Sequence, residues 1–182
     1  MIRARGILCL AVLLPGLTAC STRLLQNAQA VQPRVEISRT PFFPQSDHQC
    51  GPAALATILT ASGAETAPDA LTGEIYVPGR KGSLQAELLT SARRHARVAY
   101  VVDPSLQGLL AELEHERPVL VLQNFGLQSW PLWHYAVVVG YDRGRDTLLL
   151  RSGRSQRKQV AAARFFGTWR RAGYWGFIAL RP

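Results

Sequence analysis

A cysteine followed by glycine, proline and a run of small and apolar residues stands in the first third of the chain, at Cys50-Gly51-Pro52. Proline is tolerated in the first turn of a helix but not further inside it, so this order predicts that a helix begins at Cys50. We expect the helix to cover residues 50–62 and to end at Gly63. This places a sulfur at a helix N-terminus, where unpaired N–H groups and the helix dipole favour the thiolate.

His134 opens a later run of aromatic and β-branched residues, which predicts a strand over residues 134–141. A cysteine at a helix start and a histidine on a later strand supply the nucleophile and the base of a thiol hydrolase. The other histidines are weaker candidates for the base. His48 stands in the loop before Cys50 and is expected to point away from it, whereas His95 and His115 end polar helix faces and are expected to be solvated.

These two motifs, together with Gln45 upstream of the cysteine, resemble those of the C39-like cysteine peptidases, a papain-fold group. The resemblance extends from about Thr40 to the C-terminus. It implies an α+β fold in which N-terminal helices pack on an antiparallel sheet. A glutamine a few residues upstream of the nucleophile is able to fold its amide back beside the Cys50 N–H as an oxyanion donor, and the resemblance implies the same role. Many relatives have one more residue between the glutamine and the cysteine.

The residue that orients the histidine departs from the family pattern. Relatives usually carry Asp or Asn on the strand after the histidine strand, and here that place falls on Ser152. A serine hydroxyl accepts a hydrogen bond from imidazole but carries no charge, so the imidazolium is less stabilised. Asp142 is the alternative carboxylate, although an extended strand would carry it about 26 Å from His134. Both residues remain candidates at this point.

The first nineteen residues differ from the rest of the chain. Two arginines precede a short apolar run and a small-residue cleavage site, which is typical of a secretory signal peptide over residues 1–19. The run is too short to span a bilayer. Leu17 to Cys20 resembles a bacterial lipobox, in which Cys20 is lipidated, and this adds the lipoprotein branch to the resemblance. Ser21 resembles the pattern sent to the outer membrane, so we expect a lipid-anchored protein of the cell envelope that faces the periplasm.

The remaining domain organisation follows from the cysteines and the polar stretch after Cys20. The chain has three cysteines. Cys9 leaves with the signal and Cys20 carries lipid, so Cys50 is the one thiol left. We interpret residues 20–39 as the lipidated cysteine and a tether without core residues, within which residues 35–38 alternate as an edge strand. Residues 40–182 are predicted to form one domain.

The rest of the chain alternates helical and strand patterns. The predicted helices cover residues 50–62, 68–72, 83–94, 103–117 and 161–171, with a loop at 76–82. The predicted strands cover residues 98–102, 119–122, 134–141, 147–150 and 174–180, with a hairpin turn at 142–146. Helices first and an antiparallel sheet after them are typical of an α+β fold.

Charge and aromatic residues restrict the partners. The net charge is +9, which favours anionic surfaces, but the export signal argues against nucleic acid as a partner. Trp130 and Trp133 flank the histidine and are predicted to form an apolar wall that binds substrate. No paired ligand spacing such as Cys-x2-Cys is present, so we expect neither a metal nor another cofactor.

The sequence therefore predicts a lipid-anchored thiol peptidase that acts on peptides or proteins through Cys50 and His134. One alternative is a peptide-binding module that kept the fold and lost turnover, because Ser152 brings no charge. A second alternative is a peptidoglycan hydrolase of the other Cys-His lipoprotein class. Its nucleophile usually lies in an Asp-Cys-Ser-Gly setting, and the residues around Cys50 do not match it.

Overall fold

The computed structural model describes residues 23–45 and 49–182. The predicted signal peptide and Cys20, as well as His48, lie outside the described residues. The helices are α1 Cys50–Ala61, α2 Pro68–Ile75, α3 Gln85–Arg94, α4 Leu106–Glu114 and α5 Ala162–Arg170. The strands are β1 Arg34–Glu36, β2 Tyr76–Val77, β3 Gly82–Ser83, β4 Val98–Val101, β5 Val119–Asn124, β6 Trp133–Asp142, β7 Thr147–Ser152, β8 Ser155–Ala161 and β9 Gly176–Leu180.

Seven of these strands form one antiparallel sheet in the order β4-β9-β5-β6-β7-β8, with β1 paired to the far end of β6. Alternate side chains of a strand point to opposite faces, so the central strands feed two separate cores. Helices α1, α2 and α3 cover one face, and α4 and α5 cover the other. The predicted α+β fold, with N-terminal helices packed on an antiparallel sheet, is confirmed.

The first helix is buried on most of its surface. Residues 51–59 are all buried, including Leu55, Ile58 and Leu59, which were predicted to face the core. The helix ends at Ala61, and Gly63 follows with a positive φ of 89°. Glycine adopts this left-handed conformation without steric cost, which is why the helix ends there.

The predicted tether without core residues is wrong for the part that the structure describes. Leu25 is fully buried in the core under α4 and α5, and β1 pairs with β6 at the predicted edge-strand position. The guanidinium of Arg143 donates hydrogen bonds to the carbonyls of Leu25, Gln26, Ala28 and Ala30. The segment packs on the domain because this one side chain satisfies carbonyls that a polar sequence would otherwise leave to water.

Three further local predictions differ from the structure. Residues 76–83, predicted as a loop and a helix cap, form the hairpin β2-β3 around a 3-10 turn, and α3 begins two residues after Ser83. Helix α4 begins later than predicted, because the Ser105 hydroxyl accepts from the Gly108 N–H and caps it. Strand β8 was not predicted, since its residues are polar and mostly exposed.

No helix within residues 23–45 and 49–182 is both long enough and apolar enough to cross a membrane.

Candidate active site

Cys50 is the first residue of α1, and the Gly-Pro pair after it has a packing reason. A Cβ atom at Gly51 would lie 2.5 Å from the Ser83 Oγ, so strand β3 fits against the helix start only because this residue is glycine. Pro52 lies in the first turn, where its missing N–H costs no helical hydrogen bond. The sulfur is therefore held at the loop-helix junction, as predicted, and it remains partly exposed.

His134 is the second residue of β6, the strand that pairs with β5 on one side and with β7 on the other. Its ring stacks on Phe125, with ring centroids 5.1 Å apart and an interplanar angle of 27°. Its Nε2 lies 2.9 Å from the Ser152 Oγ at the end of β7. The stacking and this hydrogen bond fix the ring plane. Because Nε2 faces Ser152, Nδ1 is the ring nitrogen that remains to exchange a proton.

Ser152 is 3% exposed, and its hydroxyl is hydrogen-bonded to the imidazole. Asp142 lies at the opposite end of β6, where it pairs with Thr147 and accepts a hydrogen bond from the Arg145 N–H. The length of the strand thus keeps Asp142 away from His134. Of the two candidate orienters, the structure brings Ser152 to the histidine and does not bring Asp142.

Gln45 links the two strands of the site. Its Oε1 accepts from the Gly153 N–H at 2.9 Å, and its Nε2 donates to the Tyr135 carbonyl at 3.2 Å. Its own backbone N–H donates to the Gly153 carbonyl. Each amide atom faces a partner of the complementary type, which fixes the orientation of the side chain. Gln45 therefore connects Gly153, which follows Ser152, to Tyr135, which follows His134. One of its two side-chain amide N–H bonds is not used in this connection.

One cavity of about 870 Å³ is lined by Gln45, Cys50, His134 and Gly153. Trp133 also lines it, beside Leu132. Trp130, predicted as part of the same wall, is 80% exposed and is not among the lining residues. The structure thus brings the predicted nucleophile, base and glutamine to one cavity together with one of the two tryptophans.

The electrostatic environment of the pair differs from the prediction. Burial raises the pKa of the Cys50 thiol, and hydrogen bonds from the backbone of Tyr135 and Gly51 act in the other direction without offsetting it. Burial, with a smaller effect from the Lys158 charge, lowers the pKa of His134 from 6.5 to about 4. The backbone N–H groups at the helix start lower the pKa of the thiol, as predicted, but burial of the sulfur outweighs them, and the net shift is upward. Both shifts favour the neutral forms of the thiol and of the imidazole.

We expect Cys50 alkylation by iodoacetamide to follow a thiolate midpoint above pH 9.0, the ordinary thiol value, because the raised pKa moves thiolate formation to higher pH. The rate, followed by intact mass from pH 5 to 10, should fall steadily below the midpoint. The His134→Ala variant should give a similar profile, since a neutral imidazole lends the thiol no charge. A wild-type rate that stays level between pH 5 and 8, as an ion pair would produce, would contradict this result.

Sequence reasoning missed several residues of the site. Phe125 carries the stacking on His134, and Ser83 sets the need for Gly51. Lys158 acts on His134 from β8, a strand that the sequence did not reveal. His95 contacts Glu74, and the His115 Nδ1 lies 2.7 Å from the Ala111 carbonyl, so each interacts within a surface region rather than with Cys50. Within the part of the chain that the structure describes, no three His, Cys, Asp or Glu side chains cluster as a metal site.

A half-buried thiol, an oriented imidazole and an amide on one cavity are the groups that acyl transfer by a cysteine hydrolase requires. The Peptidase_C39 like family model matches residues 37–176. The chain therefore belongs to this family. No curated protein matches the chain.

Solved structures with the same fold agree with this assignment. A C39-like peptidase from Bacillus anthracis superimposes with a TM-score of 0.68 at 17% identity, covering 83% of this chain and 99% of that chain. The peptidase domain of Streptococcus ComA, a bifunctional ABC transporter involved in quorum sensing, gives 0.64 at 18% identity, covering 79% and 100%. A double glycine motif protease from an AMS/PCAT transporter, in complex with the leader peptide, gives 0.60 at 18% identity, covering 84% and 97%. At these identities the likeness shows the papain-like fold.

Proposed function

We propose that this protein is a thiol peptidase that hydrolyses peptide bonds through Cys50 and His134. The observation that carries the proposal is that Cys50 and His134 line the same cavity. The His134 Nε2 is hydrogen-bonded to Ser152, and the chain belongs to the Peptidase_C39 like family. The relative that is complexed with a leader peptide supports a peptide or protein as the substrate.

The neutral resting pair determines the first chemical step. With Nε2–H donating to Ser152, the lone pair of His134 Nδ1 takes the thiol proton while Sγ forms its bond to the scissile carbonyl carbon. The Cys50 N–H and the free amide N–H of Gln45 are the proposed donors to the oxyanion. His134 then returns the proton to the leaving amine, and the C–N bond breaks to give a thioester. Water hydrolyses the thioester with His134 as base, which restores the thiol.

The test is cleavage of a defined mixture of synthetic peptides by the full chain, with new termini identified by mass spectrometry. We expect cleavage that is lost after Cys50 has been alkylated at high pH. Absence of any cleavage, together with peptide binding that survives alkylation, would replace the proposal with the alternative of a peptide-binding module. Ser152 motivates that alternative because it brings no charge to the imidazole.

We expect Ser152→Asp to raise kcat/KM about tenfold, which corresponds to ~1.4 kcal/mol of transition-state stabilisation. A carboxylate at this position would stabilise the imidazolium that forms as His134 takes the thiol proton. The measurement is kcat/KM for the best peptide of the mixture. Ser152→Asn is the matched control, because it enlarges the side chain without adding charge, and its rate should stay within about threefold of wild type. Equal rates for the Asp and Asn variants would show that charge at this position does not limit turnover.

We also propose that Cys20 is lipidated and that the protein is anchored at the outer membrane facing the periplasm. The lipobox-like Leu17 to Cys20 and the following Ser21 support this location. Expression of Cys20→Ala should release the protein from the membrane fraction after a high-salt wash, which screens electrostatic adhesion. A variant that stays in the washed pellet would contradict lipid anchoring through this residue.

A further inference from the structure

The loop from β5 into β6 exposes an unusual amount of apolar surface. Residues 125–133, called the apolar loop below, carry five of the ten large apolar side chains that are exposed in the described part of the chain. They are Phe125, Leu127, Trp130, Leu132 and Trp133. Leu127 is 70% exposed and Trp130 is 80% exposed. Scattered exposed apolar residues are ordinary, but a contiguous group of this kind marks an interaction site.

The apolar loop is held in shape by the buried Asn124. The Asn124 Oδ1 accepts hydrogen bonds from the Gly126 and Leu132 N–H groups at 2.9 Å each, and the Phe125 N–H donates to the Leu132 carbonyl. A Cβ atom at Gly126 would overlap the Trp130 carbonyl, so the loop closes tightly on itself. These bonds fix the backbone while the side chains face solvent. The exposure is thus built into the loop.

The cavity of the active site does not account for the most exposed side chains. Pro131, Leu132 and Trp133 line it, but Leu127 and Trp130 do not. Peptide binding in the cavity therefore leaves two large apolar side chains without a partner.

The charge beside the apolar loop favours an anionic occupant. Arg80 and Lys81 are exposed and line the same cavity as Leu132 and Trp133. Among the described lining residues none is acidic. The whole chain has a net charge of +9. Tryptophan and leucine flanked by cations match the interface of an anionic bilayer, where indole rings lie at headgroup level and cations meet lipid phosphates.

The packing of the N-terminal segment brings the domain close to a membrane, provided that Cys20 is lipidated as proposed above. Leu24 lines a groove with Leu106 of α4 and Phe166 of α5, and Leu25 is buried beneath it. Ser21 and Thr22 are the two residues between Cys20 and the first described residue. Chain of that length reaches about 10 Å. An anchor so short keeps this segment at the bilayer surface, and the segment packs beside Arg143 and Asp146, at the end of β6 opposite to the apolar loop. Both contact one bilayer when β6 lies along its surface.

We propose that the apolar loop is a membrane-docking element, which places Leu127 and Trp130 in the interface of an anionic bilayer. The buried Asn124 presets the loop for this contact, and Arg80 and Lys81 face the headgroups. The mouth of the active-site cavity then lies at the membrane surface. Peptides that are themselves held at the membrane reach it without leaving the surface.

Quenching of tryptophan fluorescence by brominated lipid tests the docking. The full chain with lipidated Cys20 is bound to vesicles of phosphatidylethanolamine and phosphatidylglycerol in a 3:1 ratio, with acyl chains that are either unmodified or dibrominated. We expect brominated vesicles to quench the wild type. Trp130→Phe keeps an apolar side chain but removes the fluorophore, and it should lose at least half of the quenched signal. Trp169→Phe removes a fully buried tryptophan and should leave the quenched signal unchanged.

A second variant and the binding readout separate the outcomes. Leu127→Asp should reduce quenching by more than half while the protein still floats with the vesicles through its lipid. Protein that floats but shows no greater loss of quenching in Trp130→Phe than in Trp169→Phe would overturn the docking and leave the anchor intact. Protein that does not float and has an unmodified Cys20 by intact mass would overturn both. A Trp130→Ala variant that raises KM for peptide without any lipid quenching would assign the loop to the substrate instead.

Discussion

Replacing Cys50 with alanine is expected to lower kcat/KM for peptide hydrolysis by about six orders of magnitude, the loss typical of removing a nucleophile. The sulfur is the atom that forms the thioester, and Cys50 is the one cysteine among the described residues. The measurement is the cleavage rate of the best peptide by the full chain, followed by mass spectrometry.

The same variant separates catalysis from binding. Alanine fits the space of the thiol beside Gly51, so the cavity and its affinity for peptide should stay within about threefold of wild type. The dissociation constant can be followed by fluorescence anisotropy of a labelled peptide. Cleavage that survives in Cys50→Ala would remove the thiol from the mechanism. Equal binding in both proteins, with no cleavage by either, would establish the binding-module alternative.

Replacing His134 with alanine is expected to lower kcat/KM by about two to four orders of magnitude, the range for loss of a positioned general base. The thiol of the resting enzyme is protonated, because burial raises its pKa. Without the imidazole, no described side chain of the site is placed to accept the thiol proton as the sulfur attacks. The loss should appear in kcat more than in KM, since His134 acts on the proton and not on ground-state binding.

Two variants control for effects of this substitution on structure. His134→Gln keeps a polar side chain of similar length that can bond to Ser152 but cannot act as a base, so it should be as inactive as the alanine variant. His95→Ala removes a histidine that contacts Glu74 at the end of α3, and it should retain activity within about twofold. Activity in His134→Gln near that of wild type would assign His134 a positioning role only.

The sequence was informative where local chemistry decides structure. Cys50-Gly51-Pro52 predicted the start of α1, because the position of a proline restricts a helix whatever surrounds it. The β-branched run after His134 predicted the central strand β6, and the turn residues 142–146 predicted its hairpin with β7. The place of Ser152 beside the histidine strand was also predicted, and the hydrogen bond to His134 now gives it a geometry.

The features that sequence reasoning missed depend on distant contacts. Leu25 lies in a polar stretch, and it is buried because Arg143, more than a hundred residues later, binds the carbonyls around it. Strand β8 has polar side chains on both faces, so its period of two carries no hydrophobic signal. The net rise in the pKa of Cys50 was not predicted, because burial of the sulfur comes from the whole fold, whereas the effect of the helix start is visible locally.

The site of acylation by an activated peptide ester decides whether Cys50 is the nucleophile. The full chain is mixed with a p-nitrophenyl ester of a short peptide and quenched in acid within the first turnover. Intact mass and peptide mapping then locate the acyl group. We expect one acyl group on the Cys50 sulfur, formed at least a hundredfold more slowly in His134→Ala and absent from Cys50→Ala. An acyl group on any other residue, or equal acylation rates in the wild type and His134→Ala, would contradict it.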